Sequence, residues 1–398
     1  MLCKYPLYRI PVTARILLPP DLIRKLPREK NGAFFLNQQK AQPFLRPDLR
    51  GIVQEIGCGR CVVCRINRAR QWAVRCMMEA ETSPCCYFVT LTYDDDHLPV
   101  ETCLVDWRSG SAADLPVLRK KDLQDFMKRL RSKLHYAGYK NDVRFFACGE
   151  YGSVWKTWRP HYHILLYGMP DLLGIGDLIP SDVQTAPDAK HYFSGLISEC
   201  WKFGRHDVGE VTWESSSYVA RYCLKKAGSV LGADLPSPEK DPAIRIAKEH
   251  PGDDTARRHA ERVYKTFEAA KPFFRPPEFV LMSRRPGIGA FYFDRHREQF
   301  DVLDGFVAKL GSKVSTVRSI AYFDRLFDLP NRAPTSERTK YSAVLRRRKA
   351  RRSMIAQSQA ELIYRSAKDH APRDEQAAAD ERRALSYLKN KVQYLDQN

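Results

Sequence analysis

The sequence contains no run of about 18 consecutive apolar residues, which leaves it without a transmembrane helix candidate. Its opening residues, Met1 to Pro20, lack the long apolar core of a secretion signal. No internal repeat is visible. Acidic residues are in deficit: 47 Asp and Glu stand against 66 Lys and Arg, a formal net charge of +19. A surface that positive repels itself unless an anion is nearby. Nucleic acid is the leading partner, ahead of an anionic membrane, because neutralising phosphates releases counterions and drives binding. A disulfide framework is also missing. The 11 cysteines are odd in number, and three of them, Cys58, Cys61 and Cys64, sit at tight spacing in a chain without a secretion signal. The thiols are therefore read as reduced, in a reducing cytoplasm, and the cluster as a candidate metal site.

What is present is enough for a real core. The hydrophobic fraction is 43%, and 398 residues make one large domain or two to three small ones at roughly 150 residues each. Residues 1 to about 50 are rich in Pro and basic residues without a long periodic segment, and a short strand is expected at Ile52 to Ile56. From Arg65 to Ala80 the pattern is helical, with Ile66, Ala69, Trp72, Ala73 and Cys76 on one side. Tyr87 to Tyr93 is β-branched and aromatic, as a strand should be. Lys120 to Tyr136 is a helix with Leu123, Phe126, Met127, Leu130 and Leu134 in one stripe. Two strands, Val143 to Glu150 and His161 to Tyr167, follow. A helix is expected from Tyr192 to Trp201, ended by Gly204, then a strand near His206 to Trp213, then a helix capped by Ser215–Ser217 and running through Lys226. This order is the split βαβ arrangement of ferredoxin-like folds with one helix added. The expected organisation is an N-terminal region with the Cys cluster (1–84), the domain carrying the chemistry (85–228), a loop-rich insertion and basic Gly/Pro loop (229–312), and a basic helical C-terminal region (313–398).

The chemistry centres on Arg159-Pro160-His161-Tyr162-His163. Residues two apart in a strand share a face, so His161 and His163 project together and Tyr162 points away. A hairpin over residues 151 to 159 would return Glu150 beside them. Two imidazoles and one carboxylate leave open positions on a divalent ion, which can polarise a phosphoryl oxygen. Downstream, Tyr218 and Tyr222 lie four apart on a helix and share a side, with Lys225 and Lys226 one turn on. A phenol with a pKa near 10 needs a Lewis acid or a nearby positive charge to attack phosphorus, and both are on offer. The competing readings are a surface-facing histidine pair and two core tyrosines.

Together these pieces resemble the HUH endonucleases, and more closely the replication initiators of microviruses, the gokushovirus branch above all. The matching segments run in order from Cys58-Gly59-Arg60-Cys61-Val62-Val63-Cys64-Arg65 through Gln71 to Cys76, Phe88 to Asp95, Gly149 to Gly152, Arg159 to His163, Tyr218 to Tyr222 and Met282 to Gly289. The resemblance implies an α+β HUH domain, an antiparallel sheet with ferredoxin-like order and flanking helices. It implies Mg²⁺ or Mn²⁺ on His161, His163 and Glu150. It further implies metal-dependent, site-specific nicking and rejoining of origin DNA through a 5′-phosphotyrosine, with Tyr218 and Tyr222 as alternating nucleophiles in rolling-circle replication. Implied partners are single-stranded and replicative-form double-stranded origin DNA and a host helicase, single-strand binding protein and polymerase, in the cytoplasm of a bacterial host; no membrane is implied.

Two features lie outside that core. Cys58, Cys61 and Cys64 suit a structural zinc ion, with Cys76, Cys85 or Cys86 as a fourth ligand; the competing reading is buried free thiols. Arg284 and Arg285 beside Gly287 and Gly289 suit a loop gripping the DNA backbone, and the basic run containing Arg346, Arg347, Arg348 and Lys349 suits nucleic acid or a solvated tail. The rivals are another HUH enzyme, a transposase or relaxase, and a non-catalytic zinc-stabilised nucleic-acid binder in which Tyr218 and Tyr222 are idle.

Overall fold

A computed structural model describes residues 7–30, 33–44, 53–59, 61–140, 142–152, 158–181, 190–225, 241–303, 305–310 and 313–318, with short pieces elsewhere. The chain divides into two compact units, residues 1–71 with 290–397 and residues 72–289. In chain order, β1 (Leu7–Pro11), α1 (Pro20–Ile23), β2 (Ala33–Leu36), α2 (Gln38–Ala41) and β3 (Gln54–Ile56) belong to the first unit. Helix α3 (Val62–Glu81) leads into the second, which holds β4 (Cys86–Tyr93), β5 (Val100–Asp106), β6 (Ser111–Pro116), α4 (Lys120–Tyr136), β7 (Arg144–Tyr151), β8 (Pro160–Tyr167), β9 (Leu178–Pro180), β10 (Tyr192–Ser194), α5 (Gly195–Cys200), β11 (Gly204–Glu210), α6 (Trp213–Lys225), α7 (Pro242–Glu249), α8 (Asp254–Ala270) and β12 (Phe279–Met282). The first unit resumes with α9 (Ala290–Arg295), α10 (Arg297–Leu303), β13 (Gly305–Leu310) and β14 (Lys313–Arg318).

Within the second unit one sheet runs β12-β7-β8-β4-β11-β10-β9, antiparallel throughout. Its central order, β7-β8-β4-β11, is the ferredoxin-like arrangement expected from the sequence: β4 and β7 flank β8, and β8 and β11 flank β4. Side-chain alternation divides the sheet into two faces. Val89, Leu91, Tyr93, Tyr162, Ile164 and Leu166 meet the α4 stripe Leu123, Phe126, Met127, Leu130 and Leu134 and the α5 residues Ile197 and Cys200. Each large apolar side chain sealed there contributes about 2 kcal/mol of transfer free energy. Phe146, Cys148, Leu165 and Tyr167 point the other way, toward Cys76 of α3 and Val219 of α6. In the first unit, β2-β1-β3 form a small sheet over Leu18, Leu22, Ala41 and Phe44.

The elements depart from the sequence reading in identifiable places. Residues 192–194 form β10 instead of opening a helix, because Tyr192 pairs with Val208 and the Ser194 hydroxyl accepts from the Ile197 amide, capping a helix that starts at Gly195. Phe193 is consequently exposed. Gly204 does not stop that helix; it starts β11 at φ +144, where a Cβ would sit 2.3 Å from the Asp94 nitrogen. Helix α6 begins at Trp213 and not after Ser217, since Thr212 and Ser215 exchange side-chain-to-amide bonds of 2.8 and 3.2 Å, a reciprocal cap. The hairpin β5–β6 has no counterpart in the sequence reading: its strands are mostly exposed and polar, so they carry little apolar alternation. Helix α8 lies where the charged helical piece is expected. The segment from residue 313 is not helical at its start; Lys313–Arg318 pairs with Gly305–Leu310. Its Val314 and Val317 are β-branched, which favours the pleated conformation. Among the described residues no helix is long and apolar enough to cross a membrane.

Candidate active site

The register of three strands builds the centre. His161 stands opposite Glu150 of β7 and Thr92 of β4, and His163 stands opposite Cys148 and Thr90. The two imidazoles therefore share a face with Glu150, their ring centroids 5.0 Å apart at 86°. Glu150 Oε1 lies 2.6 Å from His161 Nε2 and 2.7 Å from His163 Nε2. Glu150 is 4% exposed and His163 8%, so this polar cluster is all but closed to water.

The far side of each ring is also fixed. His161 Nδ1 is 3.0 Å from the Arg159 carbonyl oxygen, which can only accept, so Nδ1 carries a hydrogen. Thr90 Oγ1 lies 3.0 Å from His163 Nδ1 and, as a hydroxyl, can serve either tautomer. Phe88 stacks on the His163 ring at 5.6 Å. Such outer partners hold ligating histidines in one orientation. Sequence reasoning assigns neither Arg159 nor Thr90 a role; the Thr-Leu-Thr alternation in β4 is the available signal.

Helix α6 crosses this face. The Tyr218 hydroxyl donates to Glu150 Oε1 at 2.7 Å and lies 3.3 Å from His163 Nε2, with its ring edge-on to His163 at 4.9 Å. Tyr218 is thus in the histidine site and not in the apolar interior. The cation beside it is Arg221, whose guanidinium carbon lies 5.0 Å from the phenol ring centroid. Sequence reasoning misses Arg221, although it stands at i+3 from Tyr218, a spacing that puts two residues on one helix face. Tyr222 and Lys225 are within α6, one and nearly two turns beyond Tyr218; Lys226 lies outside the described residues, as do Arg346, Arg347, Arg348 and Lys349.

Electrostatics follow from that packing. Burial opposes ionisation of Glu150, but His163 and His161 outweigh it and hold the carboxyl well below its usual range. Burial also works against a charged His161, yet the bond to Glu150 raises its pKa. For His163 burial wins and the pKa falls. The Tyr218 phenol is pushed well above its ordinary value by burial and by Glu150, with Arg221 pulling the opposite way. One carboxylate oxygen thus receives two imidazole nitrogens and a phenol.

The donor set fits a divalent cation. Glu150, His161 and His163 each offer a ligand atom, and these atoms lie within 4.8 Å of one another. With Nδ1–H of His161 committed to the Arg159 carbonyl, the lone pair of the neutral ring is on Nε2, facing a carboxylate. Two electron-rich atoms held face to face call for a cation between them, and nitrogen with oxygen ligands suits a hard or borderline metal with open positions.

On the opposite side of β8, Tyr162 donates to the Arg119 carbonyl at 2.9 Å and lies 2.8 Å from the Tyr93 hydroxyl, which donates to Asp122 at 2.6 Å. The acidic run after β4 is a polar loop: Asp94 accepts from the His97 amide at 2.9 Å and Asp95 pairs with Arg159. Cys76 is corrected as a zinc ligand. It is fully buried in the apolar layer with Phe146, Leu165 and Tyr167, and twelve residues along α3 separate it from Cys64 by about 18 Å of helix rise. Cys58, Cys61 and Cys64 do come together. Arg284 and Arg285 are exposed on a loop that is itself pinned: Arg75 Nε donates to the Ile288 carbonyl at 2.9 Å, Arg144 to that of Pro286 at 2.9 Å, and Glu79 accepts from the Gly289 amide at 2.6 Å. Glu79 and Arg144 also pair with each other in the interior.

Comparison with known proteins gives a consistent set. Residues 86–227 match the family model for replication-associated proteins of the ORF2 type, a span that includes Glu150, His161, His163, Tyr218 and Tyr222. The chain is 32% identical over 250 residues to the replication-associated protein ORF2 of Spiroplasma virus 4, covering 61% of this chain and 68% of that protein. It is 34% identical over 176 residues to the replication-associated protein VP4 of Bdellovibrio phage phiMH2K, covering 42% and 48%. It is 31% identical over 231 residues to the replication-associated protein ORF4 of Chlamydia phage 1, covering 54% and 51%. The chain thus spans about half the length of the last two. No solved structure matches it significantly.

Proposed function

The chain belongs to the replication-associated proteins of microvirus-like phages, and from that premise we propose that it nicks and rejoins single-stranded origin DNA through a phosphotyrosine, as an HUH endonuclease that initiates rolling-circle replication. One observation carries the reading: the Tyr218 hydroxyl lies 2.7 Å from Glu150 Oε1, inside the same cluster as His161 and His163. A structural tyrosine gains nothing from burying its hydroxyl against a carboxylate flanked by two imidazoles, whereas a nucleophile needs that neighbourhood.

Glu150, His161 and His163 would hold the ion, Mg²⁺ or Mn²⁺. When bound, it supplies Lewis-acid polarisation of the scissile phosphate and lowers the cost of a phenolate nearby. The protein's own groups do the rest. Thr90 and the Arg159 carbonyl keep the imidazoles aimed at one point. Tyr218 directs its proton at Glu150 Oε1, and Arg221 offsets the negative charge that develops on the phenol oxygen. The bond formed is Tyr218 Oη to phosphorus, and the bond broken is phosphorus to the 3′ oxygen, which leaves as a hydroxyl able to prime synthesis. Attack by a 3′ hydroxyl on the phosphotyrosine reverses the step and closes a circle. Tyr222, one helical turn on, is the second nucleophile, free to cut a regenerated origin while Tyr218 holds DNA. Lys225, Lys226, Arg284, Arg285 and the run from Arg346 to Lys349 contact the DNA backbone. The setting is the cytoplasm of a bacterial host, where the free 3′ end is handed to a helicase, single-strand binding protein and polymerase.

The test is direct. Purified chain is incubated with labelled single-stranded fragments of the cognate phage genome and Mn²⁺, then resolved under denaturing conditions. A protein–DNA band is expected, and the double change Tyr218→Phe, Tyr222→Phe removes it while DNA binding persists. An adduct from the double variant would overturn the nucleophile assignment. A wild-type chain that binds but never cuts would make it a non-catalytic nucleic-acid binder.

A further inference from the structure

The sequence motif that nicking does not use is Cys58, Cys61 and Cys64, in the first unit. We propose that these three thiols hold one thiophilic divalent cation, of the zinc class, as a three-thiolate knuckle at the N-terminus of α3. This does not rest on the nicking activity.

The sulfurs converge: all three lie within 4.8 Å of one another, and Cys58 Sγ is 4.0 Å from Cys64 Sγ. Two of them already accept backbone hydrogens, as thiolates do. The Cys61 amide donates to Cys58 Sγ at 3.2 Å, and the Cys64 amide donates to Cys61 Sγ at 3.5 Å. Cys61 is the cap of α3, its carbonyl accepting from the Arg65 amide at 3.0 Å, so Cys61 and Cys64 stand where the helix presents its positive end. That position lowers a thiol's pKa and favours the form that ligates metal.

The backbone is shaped for the cluster. A Cβ at Gly57 would lie 2.8 Å from Cys64 Sγ, so only glycine lets that sulfur approach. Gly59 adopts φ +72, the left-handed conformation that turns the chain between the first two cysteines. Three thiolates around a divalent ion leave one net negative charge. Arg65 is buried within electrostatic reach of Cys61, and Arg68 reaches toward Gly59, so the counter-charge is in place.

Other uses of the cluster fit less well. A disulfide would leave the third sulfur stranded beside it, and a catalytic thiol wants a base, but no histidine joins the group among the described residues. Among those residues no fourth His, Cys, Asp or Glu completes it either, so the remaining coordination position takes solvent or another donor. Loading would displace the thiol protons, one for each sulfur still protonated. The ion would clamp residues 58–61 onto the first turn of α3.

The experiment uses the full chain carrying His161→Ala and His163→Ala, so that metal at the nicking site is not counted. After loading with zinc chloride under a thiol reductant and exhaustive dialysis, elemental analysis is expected to find one zinc per chain. Adding Cys58→Ser and Cys64→Ser should remove it. Cobalt(II) in place of zinc should give a sulfur-to-metal charge-transfer band in the near ultraviolet that the cysteine changes abolish. Should the cysteine variant fail to fold, the otherwise wild-type chain decides the matter. Zinc should slow alkylation of Cys58, Cys61 and Cys64, mapped by peptide, on the order of tenfold or more, while leaving Cys85 unaffected. Less than a tenth of an equivalent of zinc together with unprotected thiols would overturn the proposal, and so would zinc retained in a folded cysteine variant.

Discussion

The two faces of one sheet carry the same kinds of residue and put them to opposite uses. On the α4 side, Tyr162 and Tyr93 bond to each other, to the Arg119 carbonyl and to Asp122, and the remaining side chains are apolar. Burial, joined by neighbouring groups, pushes both phenols well above their ordinary pKa. On the α6 side, Tyr218 meets a carboxylate, two imidazoles and an arginine. Every residue in β8 belongs to one face or the other by parity alone. The difference teaches that a buried tyrosine's role is set by what its hydroxyl meets. Tyr162 meets backbone and a second phenol, which fix it; Tyr218 meets groups that can take its proton and support its charge.

If the faces divide structure from chemistry, they should break separately. The largest effect is expected on the apolar side. Phe126→Ala removes a fully buried ring from the α4 stripe and should cost about 3–5 kcal/mol, a fall of roughly 10 °C in Tm by calorimetry. Below the lowered Tm the variant should still form the covalent DNA adduct; loss of adduct at full folding would show that the faces are not separable.

On the site face the order is reversed. Glu150→Gln keeps the shape of the side chain but removes the shared charge, so Mn²⁺ affinity measured by calorimetric titration should drop by at least about 100-fold. The folded state should persist, since the charge sits in a site that is costly to bury. Unchanged Mn²⁺ affinity would remove Glu150 from the ligand set.

The smallest effect sharpens the comparison. Thr90→Val deletes the hydroxyl that lies 3.0 Å from His163 Nδ1 and keeps the β-branched shape. Mn²⁺ affinity is expected to weaken by about tenfold with little change in Tm. A variant that melts early but binds metal normally would move Thr90 from the metal site to the structural side.

Much of this is legible in the chain because it depends on parity and spacing. Two-residue periodicity puts His161 and His163 together and Tyr162 behind them, and the α4 stripe from Leu123 to Leu134 is visible from 3.6-residue spacing. The misread elements lack such a signal. Tyr192 to Trp201 reads as one amphipathic helix, but Tyr192 has a strand partner, Val208, sixteen residues away. The exposed β5–β6 hairpin has little apolar pattern to read. Arg221 looks like any helix arginine until Tyr218 is known to face the site.

What the sequence determined by itself is therefore local: which residues share a strand face, which share a helix side, and that the chain carries an excess of positive charge and a tight triplet of cysteines. What only the tertiary structure decided is which of those sets meet. Glu150 joins the histidines because β7 pairs with β8 in one register, and a slip of one residue would turn it to the α4 face. Tyr218 reaches that cluster because α6 packs on the same side, while Cys76 is taken from the cysteines because α3 carries it into an apolar layer. Periodicity is a property of the backbone and can be read from the chain; convergence depends on long-range pairing, which no local pattern encodes.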